Sequence, residues 1–154
     1  MTTRDYRSWI LYALDKTNVI VTTLTGCMVL YTRSTGVAYF AAGAVCCSLL
    51  VKLAKRFIRQ PRPIHIEGRQ KKSYGMPSTH SAVISYYAAY VVLACAYLPI
   101  HPSLPVSPVS RILPLFIVPP LSSVIAVSRI WLGHHTWPQV ATGCIFEQLI
   151  TSIH

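Results

Sequence analysis

The chain has 154 residues, 53% of them apolar and only 12% charged, with 14 Lys and Arg against 4 Asp and Glu. That length fits one domain, residues 1–154, and the long apolar blocks point to membrane spans rather than to a soluble core. The net charge of +10 sits between those blocks, so a phosphate-bearing or anionic lipid partner is expected and nucleic acid is not.

Five apolar blocks follow in chain order: about 17–32, 35–53, 81–98, 112–127 and 140–153. The first follows Asp15 and Lys16 and lacks a small-residue cleavage site, so it reads as an uncleaved helix. The fourth contains Pro114, Pro119 and Pro120, and a kink is expected there. The five cysteines, Cys27, Cys46, Cys47, Cys95 and Cys144, all lie in apolar blocks without C-x-x-C spacing. They read as small buried hydrophobes, with neither a zinc site nor a disulfide framework.

Two of the connectors carry chemistry. "KRFIRQPRPIHIEGRQKKSYGMPSTH" is long and basic, and "SRIWLGHHTWP" is short and carries two histidines. Blocks three and four lie between them, so the chain crosses the membrane twice and both connectors emerge on one face. Helix counting puts 12 of the 14 basic residues on that face, leaving Arg33 and Arg111 on the other.

The candidate residues then fall into three groups. Lys55 offers a point charge and Arg62 a planar fork that binds phosphate oxygens bidentately. Ser78 and Thr79 open a helix, where a cap and free amides favour an anion, and His80 beside them is a natural proton donor. Arg129 is a second fork, and His135 stands just before Trp137-Pro138, where Pro138 suits the first turn of a helix. Taken singly, these residues also suit a snorkelling basic rim, a helix cap and an interfacial histidine. Among the acids only Glu67 lies near them in sequence.

These pieces resemble the type 2 phosphatidic acid phosphatase (PAP2) and vanadium haloperoxidase superfamily, whose pattern is K-x6-R-P, then P-S-G-H, then S-R-x5-H-x3-D. The chain has Lys55, Arg62-Pro63, then Pro77-Ser78-Thr79-His80, then Ser128-Arg129 and His135. The resemblance implies an all-α multi-pass bundle of about five spans. It also implies a metal-independent lipid phosphatase without a cofactor. His135 would be the nucleophile, His80 the acid, and Lys55, Arg62, Ser78, Thr79 and Arg129 the phosphoryl cradle.

Two positions depart from the pattern: Thr79 replaces the glycine and Gln139 the aspartate that orients the nucleophile. A glutamine oxygen still accepts the imidazole N–H but adds no charge. On the sequence alone, Gln139→Glu keeps the acceptor and adds a charge, so it is expected to be tolerated or to raise activity. The stretches "YGMPSTHS" and "HTWPQV" are similar to the dolichyl-diphosphate phosphatase branch, in which these two replacements are usual. That branch implies hydrolysis of a polyprenyl diphosphate to the monophosphate through a phosphohistidine. The setting it implies is the endoplasmic reticulum membrane with a lumenal site, serving lipid-carrier recycling in protein glycosylation. The positive-inside rule alone would put the basic face in the cytoplasm. The alternatives are a broader lipid phosphatase, acting on phosphatidate, diacylglycerol diphosphate or a short isoprenyl diphosphate, and a catalytically dead member of the fold. The family's sixth helix is not evident among the blocks, so a short or truncated version is expected.

Overall fold

The computed structural model describes residues 3–63, 73–100 and 107–151, with side chains from 9 to 148 within those stretches. Glu67 lies outside them. Six helices follow in order: α1 (Thr3–Asp15), α2 (Thr17–Thr32), α3 (Thr35–Ile58), α4 (Thr79–Tyr97), α5 (Pro108–Trp131) and α6 (Trp137–Thr151). The five apolar blocks are α2 to α6. The additional helix, α1, is a mixed polar segment that carries no apolar block and so escapes a hydropathy reading.

By length and composition, α3, α4 and α5 can each cross a membrane, and α2 is a shorter apolar helix. At 1.5 Å per residue, the 24 residues of α3 reach about 36 Å, enough for the hydrocarbon layer. Large apolar side chains such as Leu30, Leu53, Phe116 and Leu121 point outward and are exposed, as lipid-facing residues are. Cys27 and Cys46 are also exposed and only Cys47 is fully enclosed, so the expectation of five buried cysteines holds for one of them. In a membrane the outward face of an apolar block meets lipid, not core.

Helix ends are set by local chemistry. Arg33 and Arg59 close α2 and α3 in the left-handed region, their amides bonding Val29 O and Lys55 O. Ser78 caps α4, its side chain accepting from Ser81 N. Ser107 caps α5, with Pro108 in its first turn. The three internal prolines leave α5 a continuous helix, and the hydroxyls of Ser122 and Ser123 donate to Pro119 O at 2.7 and 3.0 Å.

The bundle is centred on α4, which packs on α3, α5 and α6. Ala44, Cys47 and Val51 of α3 meet Ala82 and Tyr86 of α4, ringed by Phe40, Tyr87 and Tyr90. Phe40 stacks on Tyr86 at 5.6 Å and meets Tyr87 edge-on at 4.7 Å. On the other side, α6 presses Gly143 so close to the start of α4 that a Cβ would stand 2.6 Å from Ser78 O. The acid Glu147, one turn further along, is buried.

Gly143→Leu is therefore expected to push α6 off the α4 N-terminus and to cost about 1–3 kcal/mol. Gly26→Ala, where a Cβ meets nothing within 4 Å, is expected to be neutral or stabilising. Thermal unfolding of the two variants in detergent checks the contrast.

Candidate active site

Where α5 ends, the chain must turn back to start α6. Gly133 makes the turn at φ 67, in the left-handed region. The amides of His134 and His135 then both bond the carbonyl of Arg129, at 2.9 and 3.2 Å. The two rings diverge. His134 Nε2 lies 2.9 Å from Asp15 Oδ1 at the end of α1. His135 is 5% exposed and turns toward the loop after α3.

Gln139, 2% exposed, lies in the first turn of α6 and touches three separate segments. Its Oε1 lies 3.2 Å from His135 Nδ1 and accepts from Thr136 N at 3.3 Å. Its Nε2 donates to Pro61 O at 3.1 Å and to Gln60 Oε1 at 3.2 Å. Its backbone oxygen accepts from Ser78 N at 3.0 Å. These partners fix the amide orientation, because Pro61 O can only accept. With Oε1 facing the ring, Nδ1 carries the hydrogen and donates it. Nε2 is left with its lone pair outward, 3.4 Å from Arg62 Nη1, which donates to it.

Arg62 is itself held, its Nε donating to Ser73 O at 3.1 Å and its Nη1 to His134 O at 3.3 Å. Gly75 completes the wall. A Cβ there would stand 2.6 Å from Gln139 Nε2, so only glycine leaves room for the glutamine.

The remaining sequence candidates lie at the neighbouring helix ends. Lys55 is buried at the last turn of α3, and its cation and that of Arg62 both act on His135. Ser78 is fully enclosed, and its hydroxyl accepts from Ser81 Oγ at 2.9 Å. Thr79 opens α4, whose first-turn amides lack intrahelical acceptors. His80 Nε2 is buried with no hydrogen-bond partner among the described residues. His80 is also within electrostatic reach of Arg129 and Lys55.

Arg129, 2% exposed, lies with its Nη1 3.9 Å from Asp15. It also donates to Ser128 Oγ and to the Leu14 carbonyl. Glu67, the acid near the motifs in sequence, lies outside the described residues. Asp15, far off in sequence, is brought in by α1. Gln60, Gly75 and Asp15 were all missed as site residues. Only Gly75 carried a signal, in the "YGMPSTHS" stretch. Among the described residues no cluster of three or more His, Cys, Asp or Glu is placed to hold a metal ion.

Burial, reinforced by the Arg62 and Lys55 cations, lowers the pKa of His135 from 6.5 to about 3, against the opposing pull of the Gln139 bond. The ring is thus neutral near pH 7, the state in which a lone pair can attack. Burial likewise lowers Arg62 from its ordinary value.

The chain is thus an all-helical bundle with membrane-spanning helices that gathers two histidines, a lysine and two arginines at one set of helix ends. The chain belongs to the PAP2 superfamily, whose family profile matches residues 31–151. It is 33% identical over 89 residues to "Dolichyldiphosphatase 1" of Dictyostelium discoideum, covering 58% of this chain and 38% of that protein. It is 37% identical over 57 residues to a "Putative dolichyldiphosphatase" of Neurospora crassa, covering 37% of this chain and 20% of that protein. The chain thus spans well under half the length of these relatives. A solved structure, the transmembrane PAP2 type phosphatidylglycerolphosphate phosphatase from Bacillus subtilis, superposes with TM-score 0.64 at 17% identity. That match covers 94% of this chain and 76% of the other, and shows the shared fold.

The amide clamp revises the expectation for Gln139→Glu. A carboxylate there would face Pro61 O with no hydrogen to donate, so loss of activity is expected, with partial recovery on acidification as the acid regains a donor. Gln139→Leu removes the acceptor and both donors and is expected to cost at least ~10²-fold at every pH. Turnover against pH for both variants checks this, and a leucine variant equal to an active wild type removes the role.

The His135 shift also fixes the sign of a stability effect. A pKa depressed by folding contributes stability that is complete above 6.5 and is lost as pH falls from 6.5 toward about 3. Melting temperatures of wild type and His135→Ala over that window are expected to show the steeper acid fall in wild type.

Proposed function

We propose that the chain is a metal-independent lipid diphosphatase that converts a polyprenyl diphosphate of the dolichyl type to the monophosphate. The observation that carries this is the Gln139 clamp. A glutamine in the aspartate position is not a vestige here but holds His135 in the neutral tautomer whose Nε2 carries the lone pair, beside the Arg62 guanidinium. The two relatives named for dolichyl diphosphate support the substrate class.

On this proposal the Nε2 lone pair of His135 attacks the terminal phosphorus. The bond from that phosphorus to the bridging oxygen breaks, its electron pair stays on the oxygen, and His80 delivers a proton there. Water then attacks the phosphohistidine, gives its proton to His80, and releases inorganic phosphate with His135 restored. Lys55, Arg62 and Arg129, with Ser78 and the amide of Thr79, offset the charge that builds on the equatorial oxygens. Three fixed cations supply the neutralisation that a divalent ion gives elsewhere. The proposed setting is the endoplasmic reticulum membrane with the site on the lumenal side.

The test is phosphate release from purified protein on a panel of lipid phosphates and diphosphates. Release is expected from prenyl diphosphate, to persist in excess EDTA, and to be inhibited by vanadate, which mimics five-coordinate phosphorus. His135→Ala is expected to abolish it and His134→Ala to spare most of it. Loss on chelation with recovery on Mg²⁺ rules out the metal-free mechanism. Preference for phosphatidate would favour the broader lipid phosphatase, and no turnover of any lipid the dead member of the fold.

A further inference from the structure

A cavity of about 530 Å³ opens beside His80 and runs between α2, α3 and α4. The α3 residues that line it are Ala41, Ala44, Val45, Ser48, Leu49 and Lys52, a single stripe at helical spacing. The stripe points toward Lys55, the buried cation of the site. Deep in the cavity the walls are mostly apolar, apart from the paired hydroxyls of Thr25 and Tyr87. Toward the site they turn polar, with Asn18 and Thr22 of α2, Thr79 and His80 of α4, and the single cation Lys52. Lys52 precedes Lys55 by three residues, a rise of about 4.5 Å along the helix, and is exposed at the cavity where Lys55 is buried.

We propose that Lys52, assisted by Asn18, holds the phosphate that remains on the lipid, and so selects diphosphates over monophosphates. The inference rests on the diphosphatase reading and extends it to the leaving group. The leaving oxygen must come within reach of His80, so whatever it is attached to lies on the His80 side, in this cavity. For a diphosphate that is a second anionic phosphorus, which needs a cation and hydrogen-bond donors where the medium is apolar. A monophosphate would place only an alcohol carbon there, and Lys52 would gain nothing. A lysine that merely snorkelled to the membrane surface would be indifferent to the second phosphate.

The experiment uses the full chain in detergent with two ligands, a prenyl methylenediphosphonate and orthovanadate, each read as ligand-induced thermal stabilisation. Vanadate fills only the place of the attacked phosphorus, whereas the diphosphonate fills both. Lys52→Gln is expected to weaken the diphosphonate at least ~10-fold and vanadate by less than ~2-fold, with Lys52→Arg restoring most of the loss. Equal weakening of both ligands, no weakening of either, or failure of arginine to restore binding would overturn the proposal. Turnover of a prenyl diphosphate by wild type is scored separately. Its absence counts against the diphosphatase reading, whereas active wild type with an indifferent Lys52 counts against this inference alone.

Discussion

Everything at the functional end of the bundle hangs on the carboxamide of Gln139. It takes hydrogens from the α5–α6 turn and gives them to the segment that leaves α3, while the backbone carbonyl of the same residue accepts from the amide of Ser78, the cap of α4. Three pieces of chain that meet nowhere else in sequence are thereby placed within hydrogen-bond reach. A carboxylate could serve the histidine but not the Pro61 carbonyl. Glutamine supplies a donor and an acceptor on one short side chain, and the room for it exists because position 75 has no Cβ.

Around that clamp the main difficulty is electrostatic. Lys55 and Arg129 are both almost wholly enclosed, and buried cations are costly unless paired. Arg129 is satisfied from an unexpected quarter, the C-terminal end of α1, through the Leu14 carbonyl and the nearby Asp15 carboxylate. The same carboxylate holds His134 away from its neighbour. Helix α1 therefore belongs to the site as much as to the fold, since it settles which histidine faces the Arg62 cation and which faces an anion.

Much of this was legible in the sequence because it rests on local rules. Long apolar blocks separated by basic connectors define spans. Two crossings between Ser78 and Ser128 put both histidine connectors on one side. The motif residues sit at helix ends, where capping chemistry is readable. What was not legible depends on long-range geometry. Asp15 enters through the packing of a helix with no apolar block. Gln60 contributes a side-chain acceptor from a segment that reads as a basic rim. The amide nitrogen of Gln139 acquires its importance only from Pro61, 78 positions away. Exposure of the cysteines was misjudged because lipid, unlike water, does not separate apolar residues into inside and outside.

The Thr25 hydroxyl meets the Tyr87 hydroxyl at 2.8 Å where α2 faces α4. These are among the innermost residues lining the cavity beside His80, together with Gly26 and Ala41. Measured along α2 from Thr17 to Gly26, the cavity descends about 14 Å, roughly half of a ~30 Å hydrocarbon layer. On the proposed function, a lipid that presents its phosphate to His135 arrives from one leaflet, and a long tail spills sideways among its neighbours once the floor is reached. On that reading the protein contacts only the first stretch of such a molecule, and the rest stays in the bilayer. Supply from the opposite leaflet then falls to some separate means of turning the lipid over.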